Sequence, residues 1–109
     1  MKPEQFIREF GEKKARAVVE SASENHNKFD IALDKTVEAY KVRPRLVDLH
    51  YLKRLVESLD LIKKLGGRSG AIREYFEYVH SGKSELDIRP NELARVIRDH
   101  ESIYGGGDE

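Results

Sequence analysis

Four histidines, His26, His50, His80 and His100, are the side chains of this chain best suited to hold a metal ion or to move a proton near neutral pH. Their spacing assembles neither kind of site. A helical metal pair needs two ligands three or four residues apart, and no histidine has a second one at that distance. His100, between Asp99 and Glu101, is the most suggestive of the four, yet a surface histidine in a charged helix end explains it better. Cysteine is absent, which excludes thiol catalysis, zinc knuckles and disulfides. Nucleophile elbows, phosphate-cradling loops and metalloprotease signatures are missing as well. The glycines at 105 to 107 open no helix whose N-terminus could hold an anion. The expectation is a non-enzymatic protein with no catalytic residue, no metal, no cofactor and no small-molecule substrate.

Two constellations suit binding instead. The first, within residues 59–80, is helix-turn-helix-like. With Gly66 as the turn glycine, Leu61, Leu65, Ile72 and Tyr75 fall near positions that the motif keeps apolar, and Arg68, Ser69 and Arg73 would face DNA. Against it, Ile62 occupies a position that needs a small residue, and Glu74 and Glu77 would repel phosphates. An ordinary helical hairpin is the competing reading. The 20 basic residues also cancel the 20 acidic ones, so a net charge of zero gives no overall attraction to nucleic acid or anionic lipid.

The second constellation centres on Leu61, which projects nearly opposite Leu59 and lies among Arg54, Glu57 and Lys64. Two apolar faces on one helix imply two partners. Either Leu61 and Leu65 meet another element of the same domain, or they form an interface with a host or phage protein or with a second copy as a homodimer. In the latter case Tyr51 and the Tyr75, Phe76, Tyr78 cluster offer aromatic anchors.

The elements that must position these residues follow from hydrophobic spacing. Residues 47–67, VDLHYLKRLVESLDLIKKLGG, carry Leu49, Leu52, Leu55, Val56, Leu59 and Ile62 on one helical face. Asp48 can cap the start, Lys63 and Lys64 complement the dipole at the end, and Gly66 suits a left-handed stop. Pro3 and Glu4 suit the first turn of an N-terminal helix in which Phe6, Ile7 and Phe10 make a short apolar edge; Gly11 kinks or breaks it before Ala15, Val18, Val19 and Ala22 resume the spacing. Residues 23–28 read as a polar loop. Phe29 to Val42 fits both a hairpin turning at Asp34 and Lys35 and a helix from Asp30, with Ala32, Glu38 and Ala39 favouring the helix. Ser69 can cap a helix over Ala71 to His80 whose apolar face is Ile72, Tyr75, Phe76 and Val79. After a loop at Ser81 to Asp87, Pro90 opens a last helix with Leu93, Val96, Ile97 and Tyr104 inward.

These segments define an all-α or mainly α fold: a compact bundle of four or five short helices, with room for a small β element near residues 29–42. A single helical domain is expected over residues 1–104, followed by a disordered tail at 105–109. At 109 residues, 39% hydrophobic and 37% charged, the chain is long enough for its own core and polar enough for thin helical layers. The charged N-terminus, MKPEQFIREFGEKK, lacks the apolar centre of a signal peptide, and no apolar run reaches membrane-spanning length. The cytoplasm, with no membrane partner, is the expected location.

EQFIREFG with the following KKARAVVE, then VDLHYLKRLVESLDLIKKLGG and ESIYGG, resemble a family of small accessory proteins of lambdoid phages and enterobacterial prophages. The similarity touches both ends and the centre of the chain, and residues 23–45 depart most from it. It implies a phage-derived, dispensable protein acting in the host cytoplasm. Its members are mostly uncharacterised, so no catalytic residue can be carried over.

Overall fold

A computed structural model describes residues 1–41, 43–81 and 90–105. It is mainly helical with a small antiparallel sheet, in the order α1 (Pro3–Phe10), α2 (Glu12–Ser21), β1 (Lys28–Asp30), β2 (Lys35–Val37), β3 (Leu46–Asp48), α3 (Leu49–Lys64), α4 (Gly67–Ser81) and α5 (Pro90–Tyr104). Two compact units divide the chain, Met1–Val56 and Glu57–Glu109, and α3 contributes residues to each.

In the first unit, Gly11 separates α1 from α2. Its φ of 91° lies in the left-handed region, and it both ends one helix, donating to the Ile7 carbonyl at 2.8 Å, and begins the next, accepting from Ala15 at 3.1 Å. Phe6, Ile7, Ala15 and Val18 are buried, while Phe10 stays largely exposed. The Phe6 ring meets Phe29 of β1 edge-on at 5.5 Å.

Residues 29–42 do not form the helix that their composition favours. A hairpin pairs Lys28 with Val37, Phe29 with Thr36 and Asp30 with Lys35, and its turn spans residues 31–34, earlier than the Asp34–Lys35 turn read from the sequence. Two local interactions explain the outcome. Asp30, itself buried, accepts from the Leu33 amide at 3.1 Å, fixing a tight turn, and Asp34 takes a φ of 52°, which aspartate tolerates better than most residues. The Asn27 side chain then both donates to and accepts from the Ala39 backbone, at 2.8 and 2.9 Å, and prolongs the ladder. Val42 lies outside the described residues.

β1 is the middle strand, in the order β2-β1-β3. The third strand pairs Phe29 with Val47 and buries Leu46 and Val47, so the chain is extended up to the residue that caps α3. Asp48 performs that capping, accepting from the Tyr51 amide at 3.0 Å. Along α3, Leu49, Leu52, Leu55, Val56, Leu59 and Ile62 are all buried, as their spacing requires. Lys63 and Lys64 occupy its last turn, and Gly66 at φ 91° terminates it.

The second unit differs from the sequence reading at the start of α4. Helix begins at Gly67, so Ser69 lies inside the first turn and does not precede it as a cap. Gly70 permits this tight junction, because a Cβ there would collide with the Leu65 carbonyl oxygen and sit 2.7 Å from its carbon. Helix α5 buries Leu93, Val96 and Ile103; Ile103 takes the inward place expected for Tyr104, which is exposed. Apart from Ser81, which ends α4, the expected loop at Ser81 to Asp87 lies outside the described residues, as does the expected tail beyond Gly105.

Alanine normally stabilises a helix relative to glycine by about 1 kcal/mol. At Gly70 the obstacle is backbone, which cannot rotate away, so Gly70→Ala should instead cost about 1–3 kcal/mol in denaturant melts. A variant more stable than the parent would contradict the junction as described.

Candidate functional site

The histidines are dispersed among structural roles. His26 Nδ1 lies 2.6 Å from Thr36 Oγ1, bracing the hairpin. His50 is exposed on α3 yet shares an open cleft of about 290 Å³ with His26, also lined by Glu24, Asn27 and Lys53. The sequence separation of these two histidines concealed that proximity. The cleft's inner polar groups are already engaged, since the Asn27 amide is spent on Ala39. Among the described residues no group of three or more His, Cys, Asp or Glu side chains is placed to hold a metal ion.

Helix α5 carries a more demanding polar arrangement. Asp99 is buried, and its Oδ2 accepts from Ser58 Oγ at 2.7 Å and from Arg95 Nη1 at 3.3 Å. His100 is buried too, with its ring tilted against Tyr104 at 5.1 Å; it is not the surface histidine that its charged neighbours suggest. The sequence signal that could have exposed Asp99 was its position three residues after Val96 on an inward face.

The residues proposed for DNA recognition do not make one basic surface. Arg68 forms an ion pair with Glu101 at 2.8 Å, and its side chain is only 20% exposed. Arg73 is exposed and lies five residues on, which turns it about 140° around the helix from Arg68. Ser69 is exposed in the first turn, and α3 and α4 are joined only by Leu65 and Gly66.

Of the protein-interface candidates, Leu61 and Leu65 are half-buried and pack on the unit's own cluster of Ile62, Ala71 and Val96, together with Ile97. Tyr51 is half-buried in the first unit, with the Arg54 guanidinium 4.5 Å from its ring centre. Tyr78 is half-buried on α4.

The exposed apolar surface lies elsewhere on α4, where the sequence placed a buried face. Ala71 is fully buried, but Ile72 is 38%, Phe76 60% and Val79 56% exposed. These three recur at helical spacing and form one stripe. Other large exposed apolar side chains, Phe10, Leu33, Tyr40 and Tyr104, are isolated in sequence, and Tyr40 donates to Glu38 at 2.7 Å. Ile72 and Tyr75 also line an open groove of about 430 Å³ against Ala94, Ile97, Arg98 and Glu101 of α5. The apolar stripe thus runs into a groove edged by charges of both signs, Arg98 and Glu101.

The Asp99 arrangement reads as structural support for this surface. Replacing Asp99 by alanine leaves the buried Ser58 hydroxyl without its acceptor, whereas the half-exposed Arg95 can turn to water. The expected cost is about 1–3 kcal/mol in chemical denaturation, with Ser58→Ala recovering part of it in the double variant. No change on Asp99→Ala would show that the hydrogen bond contributes nothing to the fold.

In comparisons with family models, with curated proteins and with solved structures, nothing matches this chain.

Proposed function

We propose that this is a non-enzymatic accessory protein of phage or prophage type that works by binding another polypeptide, host or phage, through the exposed stripe of α4. The observation that supports the reading is the exposure of Ile72, Phe76 and Val79 in a row beside the α4–α5 groove. A small domain gains stability by burying such side chains, so three of them left at helical spacing favour a surface that a partner covers. Phe76, the largest and most exposed of the three, is the expected anchor.

The alternative, a small DNA-binding regulator using Arg68, Ser69 and Arg73, has less support. Arg68 is engaged by Glu101, and Glu74 and Glu77 share the helix that would approach the phosphates. Among the described residues no group of three or more His, Cys, Asp or Glu side chains is placed to hold a metal ion. No helix among the described residues is long and apolar enough to cross a membrane, and cytoplasmic action remains part of the proposal.

Phe76→Glu should preserve helical circular dichroism and melting, because that side chain is already mostly in water, and should abolish capture of the partner polypeptide. Leu61→Glu should do the reverse first, destabilising the unit by several kcal/mol through a half-buried, unpaired charge against Ile62 and Val96. A Phe76→Glu protein that is folded and still captures the same polypeptide would overturn the assignment. Retention of the parent on DNA that falls steeply with salt would favour the regulator instead.

A further inference from the structure

We infer that the first unit carries a second binding surface, built from Tyr40, Lys41 and the turn at Pro44, and that its partner is a single strand of nucleic acid. Phosphates are held by Lys41, Arg43 and Arg45, and a base stacks on Tyr40. The surface is independent of the α4 stripe, which belongs to the other unit.

The net charge of zero is unevenly divided. Met1–Val56 holds 12 of the 20 basic residues and 9 of the 20 acidic ones, so the first unit is positive and the second equally negative. Carboxylates of the first unit are also spent on its own cations: Asp30 on Arg45, Asp34 on Lys14 and Asp48 on Lys28. Lys2, Lys41 and Arg43 are exposed and have no ion pair among the described residues.

The two arginines are set in place by a turn. The Leu46 amide donates to the Arg43 carbonyl at 3.0 Å, closing a β-turn whose second residue is Pro44, where the ring fixes φ. Arg45 is held further. Its carbonyl accepts from the Ile31 amide at 2.9 Å, and its Nε lies 3.1 Å from the buried Asp30 carboxylate, while 58% of the side chain stays exposed. A guanidinium gripped at Nε presents its other N–H groups to a phosphate with little further loss of freedom. Pro44 lines both an open cleft of about 310 Å³ with Arg43 and Arg45 and a larger one of about 780 Å³ with Lys2, so these cations flank one residue.

The aromatic decides which anion. Tyr40 follows Ala39, whose backbone is clamped by the Asn27 side chain, and its hydroxyl donates to Glu38 at 2.7 Å. The ring is thereby tethered at its edge and is 88% exposed, which leaves its faces open to a base. Three residues of chain span at most about 11 Å, so ring and Arg43 can reach the same strand. Duplex DNA keeps its bases stacked and asks for an element that enters a groove. Anionic lipid favours larger clusters of cations beside a membrane-associated helix. An open aromatic face next to phosphate-reaching cations suits unpaired bases, of RNA or DNA alike.

In fluorescence anisotropy at low salt, the full chain should bind labelled oligo(dT) and oligo(U) of about 12 nucleotides with Kd of about 10–100 μM. The two should bind alike, because phosphates and base faces are common to both, and a duplex of the same length should bind more weakly. Tyr40→Ala should weaken binding about five- to 100-fold without altering its salt dependence, and Tyr40→Phe should keep it, since stacking needs the ring and not the hydroxyl. Arg43→Gln should weaken it about two- to tenfold and lower the salt slope by about 0.7, the share of one phosphate contact on a single strand. Circular dichroism should match the parent for all three, and Phe76→Glu should bind oligonucleotide as the parent does.

A parent that binds neither oligonucleotide overturns the surface, and so does a Tyr40→Ala protein that binds as well as the parent. Duplex bound as tightly as single strand, or binding lost on Arg73→Glu, would move the contact to α4 and overturn it too. Retention on phosphatidylserine vesicles that Arg43→Gln abolishes, with oligonucleotides unbound, would make lipid the partner instead. An unfolded Tyr40→Ala or Arg43→Gln would make that side chain part of the structural frame and overturn its assignment.

Discussion

A carboxylate buried on α5 sets the arrangement of the second unit. Leaving the Asp99 charge unpaired among apolar side chains would cost several kcal/mol, so α5 must keep the rotation that brings Oδ2 to Ser58 and Arg95. Glu101, two residues later, points to the opposite side of the same helix, and there it meets Arg68 of α4. One helix is thereby tied to a residue of α3 on one side and to α4 on the other. The small, fully buried Ala71 allows close approach, and Gly70 allows the preceding turn to fold tightly onto the start of α4.

The orientation of α4 follows from those ties, and with it the surface that remains. Tyr78, Ala71, Tyr75, Val79, Ile72 and Phe76 span an apolar arc nearly half the helix circumference. The unit's own elements cover the half centred on Ala71. Ile72, Phe76 and Val79 are left over because Arg68 and Glu101 close the contact on that side before the arc ends. The polar pairing inside the unit and the apolar exposure outside it are two results of one geometry, and the binding function proposed for the chain depends on both.

How much of this was legible varied with the kind of signal. The α3 helix was readable in full, since cap, stripe, terminal lysines and glycine stop all agreed, and such agreement leaves few competing structures. The break at Gly11 was readable because a left-handed glycine ends a helix locally. Residues 29–42 were readable only as two alternatives: the small β element that the sequence left room for is present, but Leu33, Val37 and Tyr40 also fit a helix, and the deciding interactions were Asp30 on the Leu33 amide and the Asn27 amide on Ala39. Strand β3 escaped notice because three residues carry no period, and only pairing with Phe29 makes Val47 a strand residue. At α4 the apolar face was identified but its burial was not: periodicity reports which residues share a face, and says nothing about how much of that face a small unit can cover. The interface was accordingly sought at Leu61, whose packing on Ile62 and Val96 depends on elements distant in sequence.

Thiol accessibility provides the most direct measurement of the central claim, that α4 shows Val79 and Phe76 to solvent while hiding Ala71. The chain has no cysteine, so single replacements at these positions give one signal each. At low micromolar concentration, Val79→Cys and Phe76→Cys should react with a neutral thiol reagent at nearly the rate of an unfolded peptide thiol. Ala71→Cys should react slower by orders of magnitude, at a rate set by opening of the unit. Equal protection at all three positions would mean that α4 buries its whole apolar arc, and would contradict the account.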